Sequence, residues 1–591
     1  MVLLRGVRIV INEVMRYMYR FFVSLFVLVF FLHGEVHADS IFVDSGIAYK
    51  KNADNTVCVI LQEDQKCYTQ VFKDSLLVVP SNVNHEGKTY QVKSIEQYAF
   101  AKWCGIKKVI ISDGIEKIGD GAFLACANLE SMTIPSTVKV IGNKVFSFCI
   151  NLNSIVVDAH NPIFDSRNKC NAIIRSSNNE LIYGCQSTKI PSSVITIASH
   201  AYEGCMMKTV RIPLGIKNIS PFAFSGCYNL ESVYISSSVD NIAWDSFDSC
   251  FNITTIEIDK DNATYDSRNN CNAIIDKETN ALIWGCSTSK IPTGVTEIGE
   301  NAFWGCRNLH SITIPEGVKT IGESAFYGCS GLKQVILPSS LEEFWGGSQF
   351  GDCISLESIR IPENVEFIPS NIFVGCLSLR EITVDPRNKV YDSRNNCNAI
   401  IQREDNELVA GCNGSVIVDG IKRIGEMAFY NSGITSIHIP ASVESIDPSA
   451  FQTNKYCRSI SVDKGNAFYK SENSNSIVER KTKKMILACS ATKILPEVLS
   501  IGAYAYMNAP STVVIPEGIE TIGDRAFMGC EDLHTVFIPT SVRTIGELAF
   551  AYCKQLTNVI MQAGHAKIDK YAFAGCDALR PAGQIQFYNR H

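Results

Sequence analysis

Twenty-three cysteines in 591 residues are the side chains with most chemistry on offer, as disulfides, metal ligands or nucleophiles. Twelve stand three residues after an aromatic: Cys126, Cys149, Cys205, Cys227, Cys250, Cys306, Cys329, Cys353, Cys376, Cys530, Cys553 and Cys576. Ser432 and Ala509 fill the same slot elsewhere, which favours a buried thiol serving as a small hydrophobe over a bonded ladder. Six more form pairs fifteen residues apart: Cys170 with Cys185, Cys271 with Cys286, and Cys397 with Cys412. Each pair brackets two apolar stretches and a polar turn, so its members are expected to face each other across a hairpin, where an oxidising compartment allows a disulfide. A fourth such segment sets Ser474 opposite Cys489, so bridged and free thiols both stand as readings. No C-x-x-C and no Cys/His cluster occurs; no metal site and no cofactor are expected.

Other reactive patterns are sparse. The turn wording Asp-Ser-Arg-Asn (165–168, 266–269, 392–395) reads as a polar turn ahead of a calcium loop. His310, His438 and His534 fall at outward strand positions, where solvated surface is the plain reading. There is no G-x-S-x-G, H-E-x-x-H, P-loop or dinucleotide fingerprint, and no carboxylate pair is singled out, so catalysis is not expected. With 54 Lys+Arg against 60 Asp+Glu and no basic run, nucleic acid is not an expected partner.

The elements that must position these groups are written in a repeat. "IPEGVKTIGESAFYGC" (314–329) returns as "IPEGIETIGDRAFMGC" (515–530). Sixteen marker aromatics run Phe100, Phe123, Phe146, Tyr202, Phe224, Phe247, Phe303, Phe326, Phe350, Phe373, Phe429, Phe451, Tyr506, Phe527, Phe550 and Phe573. Most steps are 23 residues, with slips such as 326 to 350, while four steps of 55 or 56 carry an insertion of about 33 residues. Within a unit, Leu309, Ile312 and Ile314 give L-x-x-I-x-I, the short strand of a leucine-rich coil, which Pro315 stops. Gly317 and Gly322 are expected to supply turn conformations, and Val318, Ile321, Ala325 and Phe326 to return the chain to the core. One such unit cannot bury its own edge, so units stack into a solenoid with one shared core. The fold expected is a leucine-rich repeat solenoid, mainly β and right-handed, of about 16 repeats with four β-hairpin insertions near 158–189, 259–290, 385–416 and 463–493.

Outside the repeat, "MRYMYR" (15–20) and "FFVSLFVLVFFL" (21–32) followed by Val36-His37-Ala38 read as a signal peptide over 1–38, cleaved near Ala38, with Met1 or Met15 as its start. The apolar run is short for a membrane span, and no stable span is expected. Residues 39–91 are expected to form an N-terminal β cap, 92–580 the solenoid and 581–591 a tail.

The wording "IPEGVKTIGESAFYGCSGLKQVILP", the hairpin phrase "NNCNAII" and the segment "GKTYQVKSI" resemble the BspA-like leucine-rich repeat family over residues 92 to 580. That resemblance implies an exported, secreted or cell-surface protein of host-associated anaerobic bacteria or some protists. It also implies adhesion to host or neighbouring cells through proteins or glycans. The outward strand face is then the place for recognition. Along its central row stand Arg211, Tyr234, Glu257, Arg360 and Phe537, aromatic or charged groups of the kind that anchor interfaces. Three functions compete: a macromolecule-binding interaction protein, a glycan-binding or glycan-acting exported protein, and a structural surface spacer.

Overall fold

The computed structural model describes residues 41–61, 75–471, 475–562, 566–579 and 585–588, so the expected signal peptide lies outside the described residues. Two compact units divide the chain, one over residues 1–149 with 156–164, the other over 150–155 with 165–591. Both are built from the same coil.

In the coil that begins at Cys306, strand Ser311–Thr313 is followed by the two-residue strand Thr320–Ile321. Each pairs in parallel with its equivalent one coil on, Ile312 with Val335 and Ile321 with Phe344. Alternation within a strand sends every second side chain inward, so Ile312 is buried while Ser311 and Thr313 are exposed. The turn after the second strand puts Ser324 at φ 53° and hydrogen-bonds Phe326 N to Gln349 O of the next coil. Gly317 has φ 102°, as expected for a turn glycine. Gly322 serves differently: it does not adopt a left-handed conformation, but a Cβ there would lie 2.7 Å from Glu300 N of the preceding coil. Close approach of two backbones, not turn geometry, is what excludes a side chain.

The marker aromatics stack through the core. Ring centroids of Phe303, Phe326, Phe350 and Phe373 follow one another at 5.1, 5.5 and 6.0 Å, nearly parallel. In the first unit Phe100 and Phe123 do the same at 5.2 Å. The solenoid has about 20 turns, more than the sixteen marker aromatics, because some turns carry no marker. Leu76–Val79, inside the expected cap, is already a rung, paired in parallel with Lys108–Ile111. Ile585–Tyr588, inside the expected tail, pairs in parallel with the strand Asn558–Gln562.

The insertions are antiparallel hairpins, such as Ala273–Asp276 with Ala281–Gly285. A buried asparagine ties each to the coil before it. Asn262 donates through Nδ2 to Ser236 O and Val239 O, both 2.9 Å, and accepts at Oδ1 from Thr264 N at 2.9 Å and Tyr265 N at 2.8 Å. Asn388 and Asn466 repeat all four bonds, so both ends of a buried amide are satisfied. A small residue near the hairpin's end then admits the next marker. A Cβ on Gly285 would meet the Phe303 ring at 2.3 Å, and one on Gly411 the Phe429 ring at 2.2 Å.

The second, third and fourth hairpins also serve two cores each. Ile274 and Cys286 pack with Phe224 and Phe247, whereas Cys271, Ala273 and Ile275 pack with Phe303 and Phe326. Trp284 extends the earlier aromatic stack, its ring 4.7 Å from that of Phe247.

Candidate binding surface

The outward strand row is held rigidly by the ladders beneath it. In the second unit, Arg211, Tyr234 and Glu257 lie side by side in register on three parallel strands, Thr209–Ile212, Ser232–Ile235 and Thr255–Ile258. The Arg211 guanidinium sits 4.4 Å from the centre of the Tyr234 ring, and the Tyr234 hydroxyl donates to Asp259 Oδ2 at 2.8 Å. Tyr234 is therefore half-buried between charged neighbours and its orientation is fixed before anything binds. The bond to Asp259 raises the phenol's pKa, while the backbone N–H of Asp261 and the phenol itself hold Asp259 low.

Arg360 lies in another part of the row, beside a groove. Rungs Gln334–Ile336 and Ser358–Ile361 pair at only one position, Gln334 with Ser358, whereas the rungs on either side pair at three or four. The gap falls at the coil that is one residue longer, between markers Phe326 and Phe350. It opens a cavity of about 330 Å³ lined by Ile336, Arg360, Glu363, Asp385 and Arg387. Ile336 is half exposed at its edge. Asp385 is only 8 % exposed at its side chain, accepts from Arg387 N at 3.0 Å and pairs with Arg360 Nη2 at 3.0 Å; Arg387 Nε reaches Glu363 Oε2 at 2.7 Å. Bonds from Arg387 first, then Arg360, pull Asp385 far below the usual carboxylate range.

Phe537 stands apart from both, in register with Val514 and Ile560, so its neighbourhood is apolar. The row thus brings Arg211, Tyr234 and Glu257 together and leaves Arg360 and Phe537 each with other company. His438 and His534 are exposed as expected, with Nδ1 3.0 Å from Ser461 Oγ and 2.8 Å from Asp532 O.

The cysteine pairs are not brought together. Near its turn each hairpin has the register that fifteen-residue spacing assumes, Ile275 opposite Leu282, but a β-bulge between Ile274 and Ile275 shifts the rest by one residue. Ile274 then faces Trp284 and Ala273 faces Gly285, so Cys286 falls opposite Asn272 and its thiol donates to Asn272 O at 3.4 Å. The same bulge recurs between Ile173 and Ile174 and between Ile400 and Ile401, with Cys185 on Asn171 O and Cys412 on Asn398 O. Cys271 and Cys286 face different cores, as do Cys397 and Cys412, and all six are free thiols in the structure.

The cysteine ladder does more than fill space. Cys329 donates to Phe303 O at 3.1 Å, Cys353 to Phe326 O at 3.1 Å and Cys376 to Phe350 O at 3.0 Å, satisfying the carbonyl of the marker one coil back. Asn454 takes this slot after Phe451 and does the same job, Nδ2 to Phe429 O at 2.6 Å. Burial pushes the thiols of Cys329, Cys353 and Cys376 well above the ordinary range, which suits donors and not nucleophiles. In the Asp-Ser-Arg-Asn turns the carboxylate is taken by arginine: Arg268 Nε to Asp266 Oδ1 at 2.8 Å, and Arg394 Nε to Asp392 Oδ1 at 2.8 Å.

One further cluster had no sequence signal beyond its composition. Trp244, Trp284 and Trp304, three of five tryptophans, line a small cavity of about 40 Å³ with Phe251 and Asp245. Asp245 Oδ1 is buried there with no hydrogen-bond partner among the described residues, and burial raises its carboxyl pKa.

Stacked coils with inward Leu/Ile rungs and an outward strand face define a leucine-rich repeat solenoid. The chain belongs to the BspA type leucine rich repeat region family, whose repeat, in six copies, matches residues 82–168, 172–276, 273–399, 411–495 and 485–585. No curated protein matches the chain. Among solved structures, it is similar to a leucine rich cell surface protein from Faecalibacterium prausnitzii, at 24% identity over 72% of this chain and 94% of that one, with a TM-score of 0.37. It is also similar to a leucine-rich repeat protein from Bacteroides ovatus, at 20% identity over 89% and 99% of the two chains, TM-score 0.23. The pneumococcal vaccine antigen PcpA aligns at 17% identity over 72% and 94%, TM-score 0.32.

Proposed function

We propose that the chain is an exported interaction protein of the cell surface or its surroundings, which recognises a macromolecule on host or neighbouring cells through its outward strand face. The observation that carries this reading is the groove of about 330 Å³ between Gln334–Ile336 and Ser358–Ile361. It joins an exposed apolar edge, Ile336, to fixed guanidinium groups at Arg360 and Arg387, the mixture that favours a protein segment with an apolar and an acidic residue. The carboxylates beside it are committed to arginines, which suits binding over acid–base turnover. Family membership supports interaction in general, and among the described residues no helix is long and apolar enough to cross a membrane.

A glycan partner is the second reading, favoured by the Trp244, Trp284 and Trp304 cluster, since pyranose rings stack on indole faces. Titration of residues 39–591 on matrix proteins, mucin and a glycan panel tests both. Saturable protein binding lost in Arg360→Ala supports the groove. Glycan binding lost in Trp244→Ala moves recognition to the tryptophans, and binding to nothing leaves a surface spacer.

A further inference from the structure

The fourth hairpin departs from the other three by one cysteine lost, at Ser474, and one gained, Cys457 in the coil before it. In each hairpin the residue after the closing cysteine lies against the slot that holds the leucine of L-x-x-I-x-I in the coil before. Gln186 N bonds Leu152 O, Ser287 Oγ bonds Ile253 O at 3.5 Å, and Asn413 N bonds Leu379 O at 3.0 Å. The slot is aliphatic in all three, and the closing cysteines Cys185, Cys286 and Cys412 face no sulfur in it. In the fourth hairpin the closing cysteine is Cys489, and the slot holds Cys457 in place of a leucine or isoleucine. The neighbouring residues keep the contact, Arg458 Nη1 bonding Ser490 Oγ at 2.7 Å and Asn508 linking Ser490 N to Lys455 O.

Both thiols are fully buried in one core with Phe429 and Phe451. Among the described residues the other hydrogen bonds at these sulfurs are long: Cys457 to Ser459 O at 3.7 Å, Cys489 to Asn475 O at 3.9 Å, and Thr492 Oγ1 to Cys489 Sγ at 3.9 Å. Both are free thiols in the structure, and a hydrogen bond between them pushes the Cys457 thiol up and the Cys489 thiol down. A leucine-to-cysteine change here would leave space unfilled unless the sulfur makes a bond of its own.

We propose that Cys457 and Cys489 form a disulfide that fastens the fourth hairpin to its own coil. The bond forms as the chain folds in an oxidising medium. One cysteine thiolate attacks a sulfur of a small disulfide oxidant and releases one thiol; the second cysteine then displaces the other. Two S–H bonds and the oxidant's S–S break, one protein S–S and two S–H bonds form, and two electrons pass to the oxidant. The physiological setting rests on the export reading, but the chemistry does not.

The test therefore uses full chain refolded in a glutathione redox buffer, with recovery of the native β-sheet signal checked first. After denaturation without reductant and alkylation with iodoacetamide, peptide mass spectrometry should find Cys457 and Cys489 joined and unalkylated and the paired Cys271 and Cys286 alkylated. A phosphine reductant should lower the thermal midpoint by a few degrees. Cys457→Leu, which restores the residue of the other hairpin-bearing coils, should fold alike, leave Cys489 alkylated and remove the reductant effect. Alkylation of both cysteines in the refolded native sequence, or a link from Cys489 to a different cysteine, overturns the proposal. Failure of the export reading would leave this result unchanged.

Discussion

The inward aromatic stack and the outward strand row share one period and obey different rules. Phe303, Phe326 and Phe350 repeat in kind because each ring is the wall of the next one's site. Arg211, Tyr234 and Glu257 occupy one outward register as a cation, an aromatic and an anion, while Val514, Phe537 and Ile560 fill it with apolar groups. Coil geometry fixes where an outward side chain stands and leaves its chemistry free. Packing therefore constrains the inward residues of a repeat in kind and the outward ones only in position.

The comparison breaks first if a core ring proves dispensable. Phe326→Ala removes a fully buried ring between two others and should cost about 3–5 kcal/mol, read as a lowered midpoint in guanidinium denaturation; a loss under about 1 kcal/mol would mean the stack is not what holds the coils. Asn262→Ala strips four hydrogen bonds from the hairpin anchor and should cost about 2–3 kcal/mol, with amide exchange accelerating first in Tyr265 and its neighbours. Arg360→Ala, on the outward row, should leave the thermal midpoint within about 1 °C of the parent while weakening binding of a groove ligand about tenfold or more; equal losses of both would erase the distinction between the two faces. Cys329→Ala keeps the volume close but removes the donor to Phe303 O, and should cost about 1 kcal/mol by the same denaturation assay.

The smallest effect belongs to the first unit's surface. Lys139 and Lys93, each 2.8 Å away, lower the Glu116 carboxyl from 4.5 to about 2. Its folded pKa lies below the unfolded one, so its contribution is complete above about pH 4.5 and disappears as pH falls toward about 2. Glu116→Gln should flatten the fall of the thermal midpoint across that window, more at low salt than at high; an unchanged profile refutes the assignment.

The period, the rungs, the four hairpins and the outward row were readable because each depends on spacing along one strand or one coil. The cysteine pairs were not, because a bulge at Ile274 moves Cys286 one residue out of line, and a one-residue slip sends a side chain to the opposite face. Gly322 looked like a turn residue because sequence records glycine without recording whether φ or proximity demands it. Asn262, Asn388 and Asn466 did leave a signal, an asparagine three residues before the aromatic that opens each hairpin, visible once the four insertions are aligned on one another. The groove beside Arg360 was announced only as a 24-residue step, whose consequence depends on how two rungs separate in space.

A hairpin that closes one core with Ile274 and opens the next with Ala273 and Ile275 is a natural crossover point for recombination. Exchange between two copies of "NNCNAII" adds or deletes a whole block of coils while leaving the join with the same residues on both faces. A block gained or lost in this way repeats or removes a stretch of the outward row without asking either core to repack.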